Sequence, residues 1–322
     1  MDDSASPAPT GGRSTPSATP AELDVGGRRL RMTNLDKVLY PETGFTKGDV
    51  VQYYVGIASV LLPHLEARPL TVRRYPDGVE GQSFYEKHPP RGTPEWIRRV
   101  DVPRRDRAAS SEMMEFPVLD DLAGLAWFAN LAALEFHVPM WRVGAGGRPE
   151  PPDLMVFDLD PGAPADIVQC AEAALLLQHF LSLERGWTAY PKTSGSKGIQ
   201  LYVPLPGAER QRRWGDGGTR DEARHIARQL ASEHPDLLVT NMRKDLREGK
   251  VLIDWSQNNV AKTTVAPYSL RARPQPTVST PLQWDEVERC ATRGRAGELH
   301  FEAPDVLRRV EGLGDLFAPL LG

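Results

Sequence analysis

Two short apolar runs that each carry carboxylates constrain this chain most: LMVFDLDP at 154–161 and VLIDW at 251–255. Runs this short and this rich in β-branched and aromatic residues read as strands. Asp158, Asp160 and Asp254 are therefore expected on a sheet rather than on a solvated surface. Side chains alternate along a strand, so Asp158 and Asp160 share one face while Met155, Phe157 and Leu159 take the other. Two close carboxylates repel each other unless a cation lies between them. A pair from one strand and a third from another make an oxygen donor set suited to Mg²⁺ or Mn²⁺, hard ions that keep positions open for water and phosphate. D-x-D alone is also an ordinary strand end, so its company decides the reading.

That company is KTSGSKGIQLYVPL at 192–205. After the strand-like WTAYPKTS, Gly195 and Gly198 let backbone approach a ligand, Ser194 and Ser196 offer hydroxyls, and Lys197 brings a cation. Backbone N–H groups in such a turn form an anion cradle, and Lys197 is placed to hold a phosphate tail. The spacing is not that of a Walker A loop.

The chain has 322 residues and is 40% hydrophobic, enough for a sizeable core in one domain or two closely packed lobes. No apolar run approaches the roughly 18 residues of a membrane span. Two cysteines, Cys170 and Cys290, show no metal-ligand spacing. A cytoplasmic protein is expected. The net charge of −4 argues mildly against nucleic acid. Local basic clusters argue the other way: Arg28, Arg29 and Arg31; Arg73 and Arg74; Arg98, Arg99, Arg104, Arg105 and Arg107; Arg271 and Arg273.

Residues 1–25, rich in Pro, Ser, Thr and Gly, read as a disordered tail, with a folded domain over 26–322. Thr46 to Asp49 spells a capping box opening a helix that buries Val50, Tyr54, Ile57 and Leu61. PLTVRRYP reads as a strand, Asp120 to Leu134 as a helix, and EFHVPMW as a strand. A further helix is expected over Pro164 to Leu183, closed by Gly186. Another opens with a capping box at Thr219 to Glu222 and runs through Ala231. Interleaved strands and helices without a clean βαβ repeat fit an α/β (α+β) fold around a mainly antiparallel sheet.

The segments KTSGSKGIQLYVPL, DLDP and VLIDWSQNNVAKTTVAPYSLRARPQPTVSTPLQWDEV resemble the polymerase domain of bacterial ligase D, the primase-polymerase of non-homologous end joining in the archaeo-eukaryotic primase superfamily. The resemblance runs from about Leu30 to Phe317. It implies a primase-like catalytic core. It also implies that Asp158, Asp160 and Asp254 bind metal, that Ser194, Lys197 and Arg271 grip a nucleotide's triphosphate, and that His137 lies in the nucleotide pocket. By the same resemblance Phe84 and Tyr85 stack on bases, while Lys37 and Lys47 hold the 5′-phosphate of a DNA break or gap. An arginine on phosphate makes sense because its planar fork binds bidentately and keeps its proton. Stacking tolerates every base, as a templated enzyme requires. One position departs from what the resemblance implies: family members usually carry histidine where this chain has Gln200, which donates a hydrogen bond but no charge and no labile proton.

The resemblance implies a metal-dependent, template-directed nucleotidyltransferase using Mn²⁺ or Mg²⁺ and nucleoside triphosphates, with a preference for ribonucleotides, filling gaps and extending broken DNA ends. Ku and a separate DNA ligase are the partners it implies, in a bacterial, nucleoid-associated setting. No K-x-D-G ligase motif occurs in the chain, so sealing is expected of another protein. Two alternatives stay open: a weakly active or inactive DNA-end-bridging protein, which Gln200 would favour, and a true primase.

Overall fold

A computed structural model describes residues 21–103, 112–205, 207 and 218–321. The chain opens with a hairpin of β1 (Ala21–Val25) and β2 (Arg28–Met32) across Gly26-Gly27, followed by a small pair, β3 (Val38–Tyr40) and β4 (Phe45–Thr46). Helix α1 (Lys47–Leu65) leads to β5 (Thr71–Arg74) and β6 (Phe84–Glu86), the hairpin β7 (Arg99–Pro103) and β8 (Met113–Pro117), helix α2 (Leu122–Asn130) and β9 (Ala133–Val138). The second half runs β10 (Leu154–Pro161), α3 (Ile167–Arg185), β11 (Tyr190–Thr193), β12 (Ile199–Pro204), α4 (Gly218–Glu233), β13 (Leu238–Val239), β14 (Val251–Asp254) and β15 (Thr264–Val265). It closes with α5 (Trp284–Arg293) and α6 (Ala303–Leu313).

Two sheets carry the fold. One has the order β11-β12-β10-β14-β13, antiparallel except for the β13–β14 pair; the other has the order β15-β9-β5-β6 and is antiparallel throughout. The expected α/β fold with a mainly antiparallel sheet is what forms. Each sheet has its own core. In the first, Met155, Phe157 and Leu159 pack under α3, α4 and α5 with Leu177, Ile226 and Val287. In the second, Phe136 and Leu134 meet Tyr54, Ile57 and Leu61 of α1 and Phe128 of α2. Phe301 packs against both cores and ties them into one body.

Local chemistry sets the element ends. The Thr46 side chain accepts from the Asp49 N–H and the Asp49 carboxylate returns to the Thr46 N–H, the reciprocal pair that starts α1 as its sequence spells. Helix α3 starts later than expected: Asp166, not Pro164, is its cap, because the Asp166 carboxylate accepts from Val168 N–H while Gln169 answers it. The helix passes Leu183 to end at Arg185, where Gly186 is left-handed at φ 64°. Helix α2 spans only Leu122–Asn130, because Ala132 turns to φ 56° and the apolar residues after it join β9. In α4, Thr219 is buried inside the helix rather than capping it, and the helix continues past Ala231 to Glu233. Residues 21–25, expected in the tail, are a strand paired with β2. Residues 1–20 and the arginines at 104, 105 and 107 lie outside the described residues.

Candidate active site

Strand β10 lies between β12 and β14, and the register sets the site's floor: Asp158 stands opposite Gln200 on one side and Asp254 on the other. Directly opposed residues in antiparallel strands share a face. Asp158, Asp160, Gln200 and Asp254 therefore all lie away from the α3 side, where Phe157 and Leu159 are buried. A cleft of about 370 Å³ opens over this face. Its lining joins Asp158, Asp160, Ser194, Lys197, Gln200 and Arg271 to His137 of the second sheet. The sequence-derived catalytic and nucleotide residues thus converge at the seam between the two sheets, except Asp254, Phe84 and Tyr85, which do not line the cleft; Asp254 pairs with Asp158 and Tyr85 reaches the lining residues Thr263 and His137.

Burial raises the Asp158 carboxyl to about 6; a Gln200 hydrogen bond and Lys192 oppose the rise, while Asp160 and Asp254 add to it. Asp160 is held by Arg247 at 2.7 Å and Lys197 at 3.4 Å. Asp254 is turned towards its own chain, accepting from the Ser256 N–H at 2.8 Å, the Ser256 hydroxyl and the Gln257 amide at 3.0 Å.

The SGSKG loop folds on itself more than expected. Ser194 Oγ accepts from the N–H groups of Ser196 at 3.3 Å and Gly198 at 3.1 Å, so two donors of the expected anion cradle meet that hydroxyl. Its glycines serve close protein contact rather than ligand approach. A Cβ at Gly198 would stand 2.2 Å from the Leu159 carbonyl oxygen, and one at Gly195, where φ is +66°, would stand 2.7 Å from the Val278 backbone.

Across the cleft, Glu135 organises the cationic wall. It is 3% exposed; its Oε1 takes Arg271 Nε at 3.2 Å and the Ala272 N–H at 3.1 Å, and its Oε2 takes His137 Nε2 at 2.9 Å. Burial alone would raise the Glu135 carboxyl, but the His137 hydrogen bond and the Arg271 charge hold it well below the usual range. Burial lowers His137, against the pull of Glu135.

Phe84 and Tyr85 are 44% and 53% exposed, so they are not core. As neighbours on edge strand β6 they point to opposite faces. Only Tyr85 meets His137, ring to ring at 5.9 Å, and its hydroxyl shares a hydrogen bond with Thr263 at 2.8 Å. Lys37 and Lys47 come together on the β3–β4 side, outside the cleft. Lys37 pairs with Asp77 at 2.8 Å, and its carbonyl accepts the Lys47 N–H at 2.8 Å. Lys47 is not a solvated first-turn lysine: it is 5% exposed and donates to Thr33 at 3.2 Å and the Asn130 carbonyl at 3.0 Å. Burial, helped by Lys37, lowers its ammonium to about 8.

The LigD primase-polymerase domain model matches residues 46–317. The chain belongs to the LigD primase-polymerase domain family. Domains of this family are nucleotidyltransferases of polymerase and primase type, and the chain is an enzyme of that class. The chain is 43% identical over 292 residues to the multifunctional non-homologous end joining protein LigD of Mycolicibacterium smegmatis, covering 91% of this chain and 36% of that protein. To the bifunctional non-homologous end joining protein LigD of Bacillus subtilis it is 35% identical over 265 residues, covering 82% and 40% respectively. It therefore spans about 36–40% of the length of these relatives. Among solved structures, the polymerase domain of Mycobacterium tuberculosis ligase D in complex with DNA superposes with a TM-score of 0.80 at 41% identity, covering 91% of this chain and 98% of that one.

As a LigD primase-polymerase domain the chain was expected to hold a divalent ion. Among the described residues no three His, Cys, Asp or Glu side chains stand grouped as an ion site. Asp158, Asp160 and Asp254 stand on one face of the sheet, with Asp160 and Asp254 engaged by other protein partners. The donor set fits a hard cation all the same: all three are carboxylate oxygens on one face, burial lifts Asp158 to about 6 with Asp160 and Asp254 adding to the rise, and Asp160 and Asp254 need only exchange protein partners.

Sequence reasoning missed Glu135, Lys192 and Arg247. Glu135 lay two residues before His137 in LEFH, and β alternation puts both on one face. Lys192 and Arg247 reach the site by long-range packing and left no local signal. The expected basic faces are mostly paired internally: Arg28 with Asp121, Arg74 with Glu86, Arg98 with Asp120. Among the described residues no helix is long and apolar enough to cross a membrane.

Proposed function

We propose that the chain is a template-directed polymerase that fills gaps and extends ends at broken DNA, joining nucleoside triphosphates, with ribonucleotides preferred, to a primer 3′-hydroxyl. The observation that carries the reading is the single cleft in which Asp158 and Asp160 on the floor face Ser194, Lys197 and Arg271 on the walls. An acidic floor beneath cationic walls is the charge pattern that phosphoryl transfer needs.

Arg271, steered by Glu135 and by its bond to the Ser194 carbonyl, presents its fork to the triphosphate. Lys197, 59% exposed at its side chain and resting on Asp160 and the Pro161 carbonyl, supplies a second cation for the same tail. Tyr85, braced by Thr263 and His137, offers a ring for the base or ribose. Asp158, Asp160 and Asp254 are the residues that would hold Mn²⁺ or Mg²⁺, whose charge would offset that building on the attacking and leaving oxygens. Lys37, 41% exposed at its side chain, would offer a cationic point for a 5′-phosphate, with the buried Lys47 ammonium near enough to feel its charge. The DNA complex of the structural neighbour supports DNA as the partner. Triphosphates, Ku and a separate ligase rest on the family relation.

The test is primer extension on a gapped duplex with Mn²⁺, comparing 5′-phosphate with 5′-hydroxyl ends and ribonucleotides with deoxyribonucleotides. The reading expects template-dependent addition favoured by 5′-phosphate and by ribonucleotides. DNA binding without any extension at high protein concentration would overturn it in favour of end bridging.

A further inference from the structure

Lys192 is fully buried, does not line the cleft, and has no place in the mechanism above. Yet its Nζ lies 2.7 Å from the Oε1 of Gln200, which does line the cleft. We infer that Lys192 is a positioning residue: it dictates which end of the Gln200 amide faces the active site, making Gln200 a neutral donor to the nucleotide's phosphates.

A lysine nitrogen in this setting donates, so the group it touches must accept. Its second partner, Ser279 Oγ, already spends its proton on the Thr193 carbonyl at 2.9 Å and can only accept from Lys192. Burial, with Arg271 nearby, pushes the Lys192 ammonium well below its ordinary range, but even the neutral amine keeps two N–H groups, the number these two acceptors use. The Gln200 amide is thereby fixed with its oxygen inward and its NH₂ group outward. Unanchored, an amide flips at little cost.

Orientation matters because of what lies outside. One amide N–H meets Asp158, directly opposite in the register, and opposes the rise that burial imposes on that carboxyl. The second N–H remains for an anionic ligand in the cleft. A flipped amide would set its carbonyl against both the carboxylate and any phosphate, a repulsive arrangement at each contact. The ring of Tyr202 lies beside the same nitrogen, 5.5 Å from Nζ to its centroid. The pairing gives Gln200 a defined donor role.

This inference rests on the nucleotide-binding reading of the cleft, and one experiment separates the two. Binding of a fluorescent ATP analogue with Mn²⁺ is measured for the wild-type chain, Lys192→Met, Gln200→Ala and the double variant, with thermal melts alongside. Each single change is expected to weaken binding about tenfold, the scale of one oriented donor lost. The double variant is expected to bind no more weakly than Gln200→Ala, since Lys192 acts through that side chain. Additive losses would overturn the positioning role. Gln200→Met covers the case in which Lys192→Met fails to fold: it fills the same space with neither donor nor charge, and binding is expected to fall about tenfold because the outward donor is gone. Undiminished binding by Gln200→Met would overturn the inference. Absence of ATP binding by the wild-type chain would overturn the polymerase reading itself.

Discussion

Replacing Glu135 with glutamine probes the wall of the cleft without changing its shape. The carboxylate takes Arg271 and Ala272 on one oxygen and His137 on the other. Glutamine can keep Oε1 towards Arg271 and Ala272, but its NH₂ then opposes the proton on His137 Nε2, and both contacts lose their charge. Charge-assisted hydrogen bonds contribute about 1.5–3 kcal/mol and neutral ones about 1. Two such downgrades cost about 1–4 kcal/mol, partly offset because a buried charge is no longer desolvated. A melting temperature lower by about 2–6 °C is expected in a domain of this size.

The same change frees Arg271 to leave the triphosphate position, so KM for nucleotide should rise about tenfold with a smaller change in kcat. The pH dependence has a definite sign. Glu135 is held below its unfolded value of about 4.3, so its contribution is complete above that pH and is lost as pH falls through the native value. The gap in stability between wild type and Glu135→Gln should therefore be full at neutral pH and shrink below about pH 4. Differential scanning calorimetry across pH, with nucleotide KM at neutral pH, reads both effects. A variant with wild-type melting and unchanged KM would refute the view that Glu135 organises this wall.

Gly198→Ala forces a Cβ to within 2.2 Å of the Leu159 carbonyl oxygen, between Asp158 and Asp160. It should destabilise the chain by about 3 kcal/mol or more and abolish extension, and a urea melt showing wild-type stability would contradict the packing described. Lys47, lowered to about 8, loses its charge as pH rises through that value. Preference for 5′-phosphate over 5′-hydroxyl DNA, measured by binding in EDTA, should fall between about pH 7 and 9, and a flat ratio would remove Lys47 from the phosphate site. Histidine at position 200 should bind the triphosphate more tightly at pH 6 than at pH 8, because imidazole gains charge near 6.5. Identical affinities at both values would show that the side chain at 200 does not reach the phosphates.

What the sequence made legible was local. The Thr46–Asp49 box starts α1 because both partners lie within one turn, and the alternation of LMVFDLDP places Asp158 and Asp160 on one face because strand period is a local property. Misreadings arose where a local signal was ambiguous. The apolar run after Asn130 suits a helix or a strand equally, and only the left-handed Ala132 divides them. Residues 21–25 looked like tail because the Pro and Ser composition before them masked the Gly26-Gly27 hairpin signal. Glu135 bonds Arg271 from 136 positions away and Lys192 meets Ser279 from 87 away. No pattern within a window announces such contacts.

The central claim, that the carboxylate face beneath the cleft performs nucleotidyl transfer, is tested most directly by extension of a 5′-phosphorylated gapped substrate with Mn²⁺, comparing wild type with the double change Asp158→Ala, Asp160→Ala. Templated addition by wild type and none by the variant is expected, with DNA binding in EDTA retained by both. Addition by the variant at the wild-type rate would contradict it.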